Sequence, residues 1–171
     1  MKWIGLFLVL ISATAIGFIY ARRYADRPLQ IRHLQSAFEM LETDVMYRME
    51  PLSESFRRIG RTIPPPVGQL FVRAAAELEK GDGSPTERCW SKAVQACWPD
   101  TALKEKEQEV LLQFGHTLGS SDRDHQVKHI RALIRHLQVE EALAREEQAK
   151  YEKMSRTLGF LGGLFVVILL L

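Results

Sequence analysis

Two uncharged apolar stretches, residues 3–20 and 158–171, lie at opposite ends of this 171-residue sequence and constrain everything folded between them. The first has 18 residues, about 27 Å as a helix against a hydrocarbon core of about 30 Å, and is long enough to span a bilayer. The second has 14, about 21 Å, and crosses only if Lys153 and Arg156 snorkel at the near interface and lengthen it by about a turn. A half-inserted or hairpin tail is the competing form. A signal peptide is the alternative for the first stretch, since Lys2 gives a basic start and Ala13-Thr14-Ala15 has the form of a cleavage site. The apolar run continues past that point to Tyr20, however, and ends at Ala21-Arg22-Arg23, which reads as an anchor and its stop. The expected division is an N-terminal transmembrane anchor at 1–21, a central domain at 22–157 and a C-terminal transmembrane segment at 158–171.

Lys and Arg counts orient the chain. Arg22, Arg23, Arg27 and Arg32 follow the first stretch against Lys2 ahead of it, while Lys150, Lys153 and Arg156 precede the second. Both counts place the central domain in the cytoplasm. Cys89 and Cys97 agree: eight residues apart on one helix, about 12 Å along its axis, they are too far apart to bridge and read as reduced core residues. The formal net charge of +2 supplies no basic field for nucleic acid, so the arginines at 22–32 read as a membrane-proximal collar.

Helical spacing dominates the middle. Ile31, Leu34, Phe38, Leu41, Val45 and Met49 recur at steps of three and four, then Pro51 interrupts and Leu52, Phe56, Ile59 and Ile63 form a second stripe. Pro64, Pro65 and Pro66 make a stiff connector to a third helix through Val67, Leu70, Phe71, Ala74 and Leu78, ended by Gly81-Asp82-Gly83. A fourth helix is expected to start with Ser84 as N-cap, Pro85 at its first position and Glu87 closing a capping box, and to bury Trp90, Ala93, Val94 and Cys97. The fifth carries Leu103, Val110, Leu111, Phe114 and Leu118, with Gly119 at the C-cap. A sixth runs from about 122 to 154, about 50 Å, and continues into the second apolar stretch. Its first half shows a core stripe at Val127, Ile130, Ile134 and Leu137. Its second half, 140–153, is mostly charged, carries the favourable pairs Glu141 with Arg145 and Glu146 with Lys150, and is expected to stand in solvent or against a partner. The fold class is therefore all-α, an antiparallel bundle of about six helices between two transmembrane segments.

Chemistry is sparse. There is no phosphate-binding glycine loop and no serine nucleophile elbow, so no nucleotide motor, enzyme, cofactor or small-molecule substrate is expected. His125 and His129 sit one helical turn apart but lack the glutamate of a zinc-protease motif, and no catalytic or metal residue is assigned. Small residues four apart, Ala13 with Gly17 and Gly159 with Gly163, suit close helix packing in a membrane. Gly115 and Gly119 repeat that spacing in the central domain, where Gly115 inside a helix costs about 1 kcal/mol relative to alanine and calls for compensation, by close backbone packing in the core or else as a hinge or contact site.

The string Leu111-Leu112-Gln113-Phe114-Gly115-His116-Thr117-Leu118-Gly119, with Asp122-Arg123 and Gln126, Lys128, His129, Ile130 and Arg131 after it, resembles the stage III sporulation protein AB family of spore-forming bacteria. The opening Met1-Lys2-Trp3-Ile4-Gly5, the Tyr20-Ala21-Arg22-Arg23 stop, Pro51-Leu52, and Tyr151-Glu152-Lys153-Met154 with Leu158-Gly159-Phe160-Leu161 extend the resemblance over essentially the whole chain. It implies a domain like the cytoplasmic helical domain of the type II secretion platform protein, though with one domain where that platform has two. It further implies a place in a stage III sporulation complex of the mother-cell membrane facing the forespore, beside a secretion-type ATPase and other subunits. Phe114, Gly115, Leu118, Gly119, Asp122, Arg123, His129 and Arg131 are then expected to act in packing or partner contact. The resulting expectation is a non-enzymatic membrane scaffold needed for forespore development. The alternative is a membrane-anchored signalling adaptor that binds a cytosolic regulator through the long last helix.

Overall fold

A computed structural model describes the backbone of residues 2–48, 50–81, 83–118 and 123–170, and the side chains of 24–48, 50–81, 83–118, 123–151 and 154. Among the described residues the chain is helical, without strands. The elements are α1 (Lys2–Tyr47), α2 (Leu52–Thr62), α3 (Val67–Glu79), α4 (Thr86–Cys97), a single 3-10 turn at Trp98–Asp100, α5 (Glu105–Gly115) and α6 (Arg123–Leu170).

The core is built around rings. Five helices each send one aromatic side chain to the centre: Phe38 from α1, Phe56 from α2, Phe71 from α3, Trp90 from α4 and Phe114 from α5, all at most 5% exposed. Phe38 meets Phe114 edge to face at 5.0 Å, and Trp90 has Phe56, Phe71 and Phe114 within 5.6 Å. Such pairs add about 0.5–1.5 kcal/mol each beyond the area they bury. The indole Nε1 donates to the Leu111 carbonyl at 2.6 Å, so the largest core ring leaves no buried donor unmet. The sixth helix closes the core with Ile130, Leu133, Ile134 and Leu137. Cys89 and Cys97 are both free and buried, and burial pushes the Cys97 thiol upward.

Several boundaries differ from the sequence expectation. α1 is continuous from the first apolar stretch, expected as a separate anchor at 1–21, into the stripe that starts at Ile31, and passes through Pro28. Pro28 removes one helical hydrogen bond, yet Arg27, Gln30 and Ile31 on either side of it are buried and hold the helix in line. α4 starts one residue later than its predicted cap: Pro85 is extended, with ψ at 144°, and takes the N-cap position itself. Its carbonyl accepts from the amides of Arg88 and Cys89 at 2.9 and 3.2 Å, so Ser84 is not the cap. α5 ends at Gly115, where tight turns take over, Thr117 N donating to Phe114 O and Leu118 N to Gly115 O. Gly119, the expected C-cap, lies outside the described residues.

α1 and α6 form an antiparallel pair. Contacts run from Tyr24 with Tyr151, through Arg32 with Glu141, to Glu42 with Arg131, numbers rising on one helix as they fall on the other. The stretch expected to be solvated, 140–153, is therefore partly a buried face: Glu140, Glu141 and Ala144 are 6, 9 and 1% exposed against α1. Among the described residues no helix is long and apolar enough to cross a membrane, and the two apolar stretches fall on side chains outside them.

α2 and α3 are a close-packed hairpin with glycine at its contact. A Cβ on Gly68 would stand 2.0 Å from the Ile63 carbonyl oxygen and 2.8 Å from that of Gly60. Those are backbone atoms that no rotamer change can move. Gly68→Ala is expected to lower the stability of the full chain by about 3 kcal/mol, the upper end of the usual overpacking cost, despite alanine's better helix propensity. Chemical unfolding of the two proteins side by side measures it.

Candidate functional site

Two regions of the α1/α6 pair concentrate chemistry: the root, where residues 24 and 151 meet, and the tip, where α1 ends and α6 begins. At the root the dominant group is Arg27, 3% exposed. Its Nε donates to Glu107 Oε1 at 3.1 Å, its Nη2 to Glu140 Oε2 at 3.2 Å and its Nη1 to Glu147 Oε2 at 2.8 Å, with Nη2 also on Glu107. One guanidinium fork thus joins three helices. Glu107 is fully buried, and its other oxygen accepts the Lys104 amide at 2.7 Å, capping the start of α5. Glu147 also receives the Lys104 ammonium at 2.7 Å.

A second cluster lies about two turns further along. Glu141 accepts from Gln35 Nε2 at 2.8 Å and Arg32 Nε at 3.1 Å, with Arg145 beside it on α6. Burial pushes the Glu141 carboxyl up, but the hydrogen bonds from Gln35, Arg32 and Arg145 together outweigh it and hold it below its ordinary value. Glu147 is likewise lowered, chiefly by its Lys104 hydrogen bond against a smaller burial effect.

The sequence-predicted residues divide between core and surface. Phe114 and Leu118 are buried, 5 and 7% exposed. Gly115 faces Trp90, whose Cδ1 would lie 2.8 Å from an added Cβ. Arg131 links the pair, donating from Nε to Glu42 Oε1 at 2.6 Å and reaching Met46. Arg123 and His129 are exposed, and Arg123 sits beside Phe114, Leu118, Gln126 and Asp44 at the tip. Gly119 and Asp122 lie outside the described residues, as do the side chains of Ala13, Gly17, Gly159 and Gly163. Asp44 itself is 5% exposed and ion-paired to Arg58 and Arg48; burial raises its carboxyl, against the lowering effect of Ser55 and Arg48.

On α6 the outward face of the tip is cationic. His125, Lys128, His129, Ala132, Arg135 and His136 recur at helical spacing and are all exposed, and Asp124 is the single acid among the exposed residues of 123–136. Among the described residues no group of three or more His, Cys, Asp or Glu is placed to hold a metal. The arrangement offers contact surface and rigid linkage.

Sequence reading missed the root cluster. Arg27 counted as a membrane collar and Glu140 as a solvated face, because their pairing spans 113 residues and has no periodic signature. The available hint was Arg27 lying one turn before Ile31, in phase with the apolar stripe.

Removing the arginine strands buried carboxylates. Arg27→Met is expected to cost about 3–5 kcal/mol, more than Glu140→Gln, because the uncharged amide can still accept from the guanidinium. Urea unfolding of both variants checks the order. Carboxyls lowered on folding stabilise the protein above their unfolded values and lose that contribution as pH falls through the folded ones, so the unfolding midpoint is expected to drop between about pH 5 and pH 3. Asp44, raised on folding, has the opposite sign, stabilising at low pH and losing that contribution as pH rises. Glu141→Gln should flatten the acid loss, and a pH series of thermal melts reads it.

The sequence profile of the family described as Stage III sporulation protein AB matches residues 2–171. Stage III sporulation protein AB of Bacillus subtilis (strain 168) is 40% identical over 171 residues, covering 100% of this chain and 99% of the relative. A solved structure of a stage III sporulation protein AB superposes with a TM-score of 0.69 at 38% identity, covering 73% of this chain and 98% of the solved one. With the six-helix fold shared and the sequence match end to end, the chain belongs to the stage III sporulation protein AB family.

Proposed function

We propose that this chain is a non-enzymatic platform subunit of a sporulation complex, mounted at both ends in the mother-cell membrane with its bundle in the cytoplasm. Membership in the family supports a subunit of the sporulation machinery. The observation that carries the finer reading is the antiparallel α1/α6 pair. Its last described contact, Tyr24 with Tyr151, lies next to both apolar stretches, so both leave the bundle at one end. A two-anchor mount needs that arrangement. The Arg27 cluster then makes α1, α5 and α6 one rigid body, through which load at the tip reaches the membrane.

The cationic α6 face is the surface offered to a cytoplasmic partner, a secretion-type ATPase or another subunit of the complex. It stands at the end opposite the apolar stretches and is electrostatically one-sided, which favours steering of an acidic partner surface. The adaptor alternative, acting through the acidic half of α6, is disfavoured because Glu140 and Glu141 are buried against α1.

Two measurements test the proposal. Alkaline extraction of membranes from sporulating cells should leave the protein in the pellet, and affinity purification of the intact protein should recover the ATPase. Lys128→Glu combined with Arg135→Glu, both exposed, should change bundle stability by no more than about 0.5 kcal/mol per site. The same pair should cut recovery of the ATPase several-fold. Recovery unchanged by the double reversal would remove the tip face from the partner interface.

A further inference from the structure

At the root, side chains of α1, α6 and the start of α5 line a small cleft. Tyr24 and Tyr151 stack with ring centroids 3.8 Å apart, and the Tyr24 hydroxyl donates to the Tyr151 hydroxyl at 3.1 Å, so in this bond Tyr151 accepts and keeps its own hydroxyl proton to donate. Lys104, from the start of α5, places its Nζ 5.7 Å from the Tyr24 ring centroid. With Glu147, Lys150 and Met154 these residues line a cleft of about 380 Å³.

The one acid among the described residues of the cleft is already matched, since Glu147 is held by both Arg27 and Lys104. Lys104 gives Glu147 one of its three ammonium hydrogens, and Lys150 is exposed with no ion pair among the described residues. Its position says what reaches it. Tyr24 stands one helical turn from Tyr20, where the first apolar stretch ends, and Met154 one turn before Leu158, where the second begins, about 6 Å in each case. With those stretches in a bilayer the cleft lies at the level of the lipid headgroups, where tyrosine concentrates. The adjoining turns are basic as well, with Arg22, Arg23, Lys153 and Arg156 against Asp26 and Glu152.

We propose that this cleft binds the phosphodiester headgroup of an anionic phospholipid. Lys104 and Lys150 supply the charge, the Tyr151 hydroxyl donates to a phosphate oxygen, and Met154 lies along the glycerol and the first methylenes of the acyl chain. The inference rests on the membrane anchoring proposed above. Free inorganic phosphate shares the charge but has nothing to place against Met154 and the tyrosine rings.

The test uses the full chain reconstituted in nanodiscs of phosphatidylcholine alone or with phosphatidylglycerol, with bound lipid counted by native mass spectrometry. Phosphatidylglycerol is expected to be retained preferentially, and Lys150→Gln and Lys104→Gln each to lower that preference about five-fold, the value of one basic residue at an anionic surface. Lys128→Gln, at the tip, should leave it unchanged. Lys150 makes no ion pair among the described residues, so its variant tests the site even if Lys104→Gln loosens the root. No preference in the inserted wild-type protein, or an equal preference in Lys150→Gln, overturns the lipid site. Displacement by inorganic phosphate as readily as by phosphatidylglycerol assigns the cleft to free anions and overturns it too. A wild-type protein released by alkaline extraction fails at the earlier step: it overturns the anchoring, and the lipid site with it.

Discussion

The packing of α1 against α6 depends on one buried cation. Arg27 is the point where α1, α5 and α6 meet, and all three of its guanidinium nitrogens donate, shared among Glu107, Glu140 and Glu147. Burying charge is expensive, and replacing such a group by well-packed hydrophobic residues is often neutral or better for stability. What the apolar substitute lacks is register. A coiled pair of long helices can slide by a turn with little change in apolar contact, whereas a guanidinium fork that satisfies three carboxylates from two other helices fits one alignment only. Arg32 and Gln35 on Glu141, and Arg131 on Glu42, repeat the alignment further along. The pairing is specified along its described length by charge, while the centre of the bundle is specified by rings.

That division explains what could be read from the sequence. Positions governed by local periodicity were legible: Ile31, Leu34, Phe38 and Leu41 on α1, and Ile130, Ile134 and Leu137 on α6, all lie in the core. Pro51 does separate α1 from α2, and Gly81 and Gly83 after α3 take positive φ values of 61° and 74°. The capping of α4 was misplaced by one residue because Pro85 fits both the N-cap and the first helical position, and only its ψ decides. The charged half of α6 was misread for a deeper reason. Glu140 and Glu141 look like any solvated acids until the partner more than a hundred residues away is known. Long-range ion pairs leave no spacing signal in one sequence.

The candidate site was legible in the same uneven way. The string around Phe114 and Gly115 carried the family resemblance, and part of the reason is now physical: Phe114 belongs to the aromatic centre and Gly115 makes room for Trp90. Arg123 and His129 belong to the exposed tip, and Arg131 to the helix pair. A single stretch of sequence thus serves core, helix pairing and surface at once, which is why composition and spacing alone could not apportion it. Among the described residues the molecule is a long antiparallel helix pair, α1 with α6, joined to a packed aromatic head.

The helix pairing also fixes an order of events during synthesis. α1 is made first and its principal partner last, since Arg27 and Glu147 are 120 residues apart and Tyr24 and Tyr151 are 127. At about 5–20 residues per second, several seconds separate the emergence of Arg27 from that of its carboxylates. During that interval α2 to α5 can gather their rings, but the seam along α1 stays open, with Glu107 of α5 in reach of Arg27 and the two carboxylates of α6 still to come. Completion of the head and arrival of the final apolar stretch then fall at the same moment, so a nascent chain interrupted before Glu140 would carry a bundle that is assembled at its centre and unzipped along its spine.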